Sequence, residues 1–182
     1  MGIISAKRRY QRPPRTAMEV YEMLPEGTLA EVINNTLYMS PVPNPQHQRL
    51  LGRLFTLMNT YITENDLGEC FITPVDVYLG DKNAVQPDII FIAQNHLSAI
   101  IKDGKVKGAP DLIVEVLSGN KKHDLQVKKN LYEAFGVQEY FIINPVDNEV
   151  ITYYLNGNKF SLQESKAGKI KSRVLQKTIS FL

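Results

Sequence analysis

The sequence has one cysteine, Cys70, in 182 residues, which excludes an internal disulfide and any disulfide-stapled secreted scaffold. The expectation is a reducing, cytoplasmic setting, with Cys70 as a small apolar packing residue. No apolar run approaches the roughly 18 residues that cross a bilayer, and the first residues lack the apolar centre of a signal peptide. Net charge is small: 21 Lys and Arg against 19 Asp and Glu leave +2. Bulk charge therefore cannot coat a polyanion, and any nucleic-acid contact must be local. There is no internal repeat, no low-complexity segment beyond a basic arm, and no zinc finger or recognition helix for reading bases. What is present, 43% hydrophobic residues in the length of one ordinary domain, suffices for a single core.

Residues 1–15 read as an arm. Lys7, Arg8, Arg9, Arg12 and Arg15 surround Pro13 and Pro14 without any hydrophobic period. Arg8, Arg9 and Arg12 are its candidates for phosphate contact, with a solvated tail as the alternative. Residues 16–182 read as a single domain. A short helix begins at Thr16, with Glu19 in the capping-box position, and a hairpin over residues 29–39 turns at Asn34-Asn35. After a proline-rich connector a helix starts near Gln46, where Leu50, Leu51, Leu54, Leu57, Met58 and Tyr61 recur at helical spacing over about four turns. Strands are expected over 71–79 and 85–92, with Asp88 at the mouth of the second, and a helical turn over 97–101. Beyond residue 118 the period changes, aligning Asp124, Lys128, Leu131, Tyr132 and Phe135 on one helical face, with Gly136 as cap. A buried strand at 139–145, a hairpin through Asn156-Gly157 and an edge strand over 174–182 complete the order.

The anomaly is Glu115. It sits inside Asp-Leu-Ile-Val-Glu-Val-Leu-Ser, residues 111–118, a short run rich in Ile and Val and closed by Ser-Gly-Asn, which reads as a buried strand rather than a helix. A lone carboxylate there would cost several kcal/mol, so a cation, a metal ion or a proton must compensate it. The plain alternatives are a strand-end acid paired with Lys or Arg, or one that points out of a half-exposed sheet. With Asp88 on a neighbouring strand, two carboxylates can converge on one hard divalent cation, Mg²⁺ or Mn²⁺, since oxygen donors suit such ions. That ion would activate a water and neutralise charge building on a phosphoryl group. Lys128 is placed to supply positive charge beside it. The competing account makes Lys128 a surface residue bridging Asp124 one turn earlier. His47, in the first turn of its helix, and Tyr132 read first as packing residues and second as supports of the site. Asp111 reads as a turn cap or a supporting acid.

The runs Gln86-Pro87-Asp88-Ile89 and Gly108-Ala109-Pro110-Asp111-Leu112-Ile113-Val114-Glu115-Val116-Leu117-Ser118 are followed by Asp124, Lys128 and Tyr132, then Gly136-Val137-Gln138-Glu139-Tyr140. With Leu24-Pro25-Glu26-Gly27, Glu31, Pro45-Gln46-His47-Gln48 and Pro74-Val75-Asp76-Val77 upstream, this series resembles the bacterial family catalogued as "putative restriction endonuclease", long a domain of unknown function. The resemblance spans roughly residues 20–160. That family belongs to the restriction-endonuclease-like superfamily with the PD-(D/E)xK signature. The resemblance implies an α/β fold, a mixed sheet flanked by helices in the order helix-strand-strand-strand-helix-strand, with hairpins before and after it. It implies Asp88 and Glu115 as the acids of the signature and Glu31 as an additional metal ligand. Leu117 stands where the simple signature has lysine, and Lys128 on the following helix is its match. The implied activity is metal-dependent hydrolysis of phosphodiester bonds, in DNA; a homodimer is the expected assembly, because cutting both strands of a duplex favours two sites. The alternative is a nuclease-derived module that binds nucleic acid or protein without cutting.

Overall fold

The computed structural model describes residues 13–118, 123–164 and 166–182, and no side chain for His123 or Asp124. The arm cations Arg8, Arg9 and Arg12 lie outside the described residues.

Helix α1 (Ala17–Tyr21) is capped by Thr16, whose hydroxyl accepts from the Glu19 amide. A hairpin follows, β1 (Ala30–Ile33) and β2 (Thr36–Met39). Its two central residues, Asn34 and Asn35, have φ of 50° and 58°, the left-handed pair a two-residue turn requires. Helix α2 (Pro45–Glu64) starts on Asn44 with proline at its first position and runs 20 residues, longer than the four turns expected. It buries Leu50, Leu51, Leu54, Met58 and Ile62, each worth roughly 1.5–3 kcal/mol.

The run over 71–79 is not one strand. β3 (Gly68–Ile72) and β4 (Val77–Tyr78) lie in different sheets, and so do β5 (Ala84–Val85) and β6 (Ile89–Ala93). Each break carries a proline, Pro74 or Pro87, which has no amide to give the ladder. The crossovers are tied together where the Thr73 amide donates to the Asp88 carbonyl at 2.9 Å. A helical turn α3 (Leu97–Ile100) leads to a small hairpin, β7 (Ile101–Lys102) and β8 (Lys105–Lys107). Next come β9 (Leu112–Val116), a π-helical turn over His123–Lys128, helix α4 (Lys129–Phe135), β10 (Glu139–Ile143), β11 (Val150–Asn156) and β12 (Lys159–Gln163). Gly136 ends α4 at φ 82°, a conformation glycine takes without penalty. The C-terminal residues do not extend the main sheet as an edge strand. β13 (Lys169–Ser172) and β14 (Lys177–Ser180) pair only with each other, because Ile170, Ile179 and Phe181 turn inward onto the core.

The central sheet runs β12-β11-β10-β9-β6-β3, with β9 and β10 parallel and the other neighbours antiparallel. Its core order is α2, β3, β6, β9, α4, β10, the expected helix-strand-strand-strand-helix-strand. One face, with Leu112, Val114 and Val116, packs on α2 and the C-terminal hairpin. The other, with Ile113, Leu117, Tyr140 and Ile142, packs on α4 and on the second sheet, β2-β1-β5-β4-β8-β7. Glu115 alternates onto this second face, beneath the π-helical turn. Among the described residues no helix is long and apolar enough to cross a membrane.

Candidate active site

The residues that meet at the seam of the two sheets come from five segments. β1 is buried along its whole length, and its alternation sends Glu31 and Ile33 to one side while Ala30 and Val32 fill a separate apolar cluster. The antiparallel register of β6 and β9 pairs Ile89 with Val114, so one step further brings Asp88 opposite Glu115. The π-helical turn, a widened turn common at functional sites, ends on Lys128. Asn44 accepts from the His47 amide at 2.9 Å, which sets the first turn of α2 and the place of His47. All five side chains are buried, with residue exposures of 3% for Glu31, 5% for His47, 8% for Asp88, 4% for Glu115 and 5% for Lys128. They line a cavity of about 170 Å³.

Two clusters of contacts organise it. The Lys128 ammonium donates to Glu31 Oε1 and to Glu115 Oε1, both at 2.9 Å. The Tyr132 hydroxyl donates to the same Glu115 oxygen at 3.0 Å, and the Gln86 amide to Glu31 Oε1 at 2.8 Å. A cation thus compensates the acid inside β9, with hydrogen bonds around it to offset the cost of taking three charges out of water. In the second cluster Asp88 Oδ2 accepts from the Val116 amide at 2.7 Å. His47 Nε2 lies 3.0 Å from the Val116 carbonyl and 3.1 Å from Asp88 Oδ2. Both neighbours are acceptors, so Nε2 carries the proton in this arrangement.

Lys128 therefore reaches from the helix to the Glu115 carboxylate, while Leu117 is part of the apolar packing on that face. Tyr132 both packs, edge-on to Tyr140 at 4.9 Å, and holds Glu115. Asp111 is not brought to this group. Its carboxylate, at the other end of β9, accepts from the Ala93 amide at 2.8 Å and from Gln138 Nε2 at 2.6 Å, and pairs with His96 Nδ1 at 2.8 Å. It ties three strands together instead. The Asp124 side chain lies outside the described residues.

Three contributors escaped the residue-by-residue reading: Gln86, Asp76 and the backbone of Val116. Gln86 and Asp76 occur in the quoted runs, but nothing in them assigns a role. The Tyr21 hydroxyl and Gln86 Nε2 donate to Asp76 Oδ1 at 2.7 and 2.9 Å, bracing the crossover that carries Asp88. Burial, then the Asp76 hydrogen bond, push the Tyr21 hydroxyl well above its ordinary pKa. The one legible signal was Pro87, which leaves Gln86 as the amide donor at that bend.

Among the described residues no three His, Cys, Asp or Glu side chains form a ready cluster of metal ligands. The donor set is nonetheless suited to a hard divalent cation: the Asp88 and Glu115 carboxylates line the same cavity as Val116, whose carbonyl adds a third oxygen donor. The oxygens already converge in pairs on single positive poles, the Lys128 ammonium and the His47 N–H.

Among curated proteins none matches the chain. Among solved structures, a crystal structure of a putative nuclease belonging to DUF820 from Anabaena variabilis superposes with a TM-score of 0.74 at 16% identity, covering 92% of this chain and 96% of that one. At that identity the likeness speaks for the fold. The sequence profile of the Uma2 family, described as "Putative restriction endonuclease", matches residues 17–178, and the chain belongs to that family.

Proposed function

We infer that the chain is a metal-dependent endonuclease that hydrolyses phosphodiester bonds in DNA, working in the cytoplasm as a homodimer, since cutting both strands of a duplex favours two sites. The observation that carries this reading is the Lys128 ammonium between Glu31 and Glu115, one residue from the Asp88–Val116 contact. Asp88, Glu115 and the Val116 carbonyl would hold Mg²⁺ or Mn²⁺, with Glu31 as a further carboxylate. When bound, the ion supplies the charge that acidifies a water and neutralises the phosphoryl oxygens. The chain's own residues do the rest. Lys128 fixes the Glu115 carboxylate and presents a cation to developing negative charge. Tyr132 and the Gln86 amide hold Glu115 and Glu31 in single orientations, and the His47 N–H orients Asp88 and the Val116 carbonyl.

The test is nicking of supercoiled plasmid with Mg²⁺ or Mn²⁺ by native protein, Asp88→Asn and Glu115→Gln. Nicking that needs the metal and falls at least about 100-fold in both variants is expected. Equal nicking by all three would overturn the assignment. Native protein that neither binds Mn²⁺ nor cuts would instead favour the non-catalytic module.

A further inference from the structure

The charge of this chain is unevenly placed. Every one of its 19 acids lies within residues 16–164, against 11 cations there, a net of −8; residues 165–182 carry five cations and no acid. Those five, Lys166, Lys169, Lys171, Arg173 and Lys177, belong to the C-terminal hairpin or border it, and all are exposed. Among the described residues none of them forms a salt bridge.

The hairpin is held rigidly. Its inner face, Ile170 and Ile179 with Leu175 and Phe181 beyond, is buried in the core. The buried Glu139 carboxylate accepts from the Ser172 hydroxyl and from the Arg173 and Val174 amides. The Arg173 guanidinium lies 3.9 Å from the centre of the Tyr154 ring, and Lys177 Nζ 4.9 Å from that of Tyr61. Lys169 and Lys171 alternate onto the outer face, opposite the exposed Ser180 and Thr178, about 7 Å apart. The hairpin also touches the helix that leads to the site, where Arg53 Nη1 donates to the Phe181 carbonyl at 3.0 Å. Arg53 is six residues from His47, roughly 9 Å along α2, and the exposed Arg49 lies between them.

We propose that the outer face of the β13–β14 hairpin, through Lys169 and Lys171, binds the phosphate backbone of the duplex on which the site acts. The inference rests on the endonuclease reading for its choice of polyanion. A rigid hairpin whose own residues carry cations and no acid, on an otherwise acidic domain, attracts phosphates locally, which the small net charge does not do, and carries no base specificity.

The experiment is fluorescence anisotropy of a labelled 30-base-pair duplex with the full chain, in chelator so that nothing is cut, over a series of salt concentrations. The proteins are native, Lys169→Gln/Lys171→Gln, and Lys169→Arg/Lys171→Arg as the charge-keeping control. The Gln pair is expected to bind roughly tenfold more weakly, with the slope of log K against log salt shallower by about 1.8, 0.9 for each lost phosphate contact; the Arg pair keeps both. Unchanged affinity and slope in the Gln pair, with its melting curve native-like, overturns the proposal. So does native protein that binds no duplex, or that prefers anionic phosphatidylserine vesicles. Binding is read without turnover, so a failed plasmid assay with an altered salt slope sinks the nuclease reading alone, and the converse sinks only this one.

Discussion

Replacing Lys128 by Met tests whether the cation between the two glutamates holds the site together. The two 2.9 Å contacts place Glu31 Oε1 and Glu115 Oε1 at most 5.8 Å apart. Without the ammonium, two carboxylates at that separation repel by about 3 kcal/mol at an effective dielectric constant of 20. Breaking a buried ion pair from one side generally costs about 3–5 kcal/mol, and we expect Lys128→Met to fall in that range, lowering the midpoint of thermal unfolding by roughly 10 °C. Glu31→Gln alone also destabilises, because Lys128 loses half its compensation. Combined, the two changes should partly cancel: the neutral side-chain amide introduced by Glu31→Gln keeps an acceptor for the Gln86 amide, and the repulsion is gone. The double variant should therefore be more stable than Lys128→Met by about 2–3 kcal/mol. Urea unfolding at pH 7.5 in chelator measures all four corners of the cycle. A loss below about 1 kcal/mol for Lys128→Met, or strictly additive losses in the double variant, would refute the reasoning.

Glu139 offers a pH test away from the site. Burial raises its carboxyl pKa, and the bonds from Ser172, Arg173 and Val174 offset this only in part. The folded state then binds the proton more tightly than the unfolded one, so this group's contribution is full below pH 4.5 and is lost as pH rises through the raised folded value. Glu139→Gln, which can keep accepting from both amides, should gain stability relative to native as pH goes from 4 to 8 in urea titrations; a flat difference would contradict the burial argument. Glu139→Ala orphans two amides and should cost about 2–4 kcal/mol at any of these pH values. For Cys70, burial pushes the thiol pKa up to about 12, so little thiolate is available near neutrality. Ellman's reagent at pH 8 should react much more slowly with native than with urea-unfolded protein, and equal rates would show the thiol to be unprotected.

Much of this molecule follows from local pattern, because local pattern is set by neighbours in sequence. The turn at Asn34-Asn35, the Thr16 cap, the Gly136 stop and the apolar stripe of α2 each depend on a few adjacent residues and came out as expected, save that Leu57 is exposed on α2 and Ile62 is buried there instead. The buried acid in β9 was legible as a demand: an ionised Glu115 among Ile and Val needs compensation whatever the fold. The matching runs of residues indicated the family and the core order. Which group compensates Glu115 could not be read locally, since Glu31, Lys128 and Tyr132 come from three elements that only folding brings together. The splitting of 71–79 and 85–92 between two sheets also depended on distant partners. A proline shows where a ladder stops, but not that the strand beyond it crosses to another sheet. Asp111 and Glu115 share a face and a charge, and sequence alone treats them as alike. Tertiary structure separates them, giving Asp111 to a strand-tying knot and Glu115 to the cavity, because burial and hydrogen-bond partners, which decide what a carboxylate can do, belong to the packed chain.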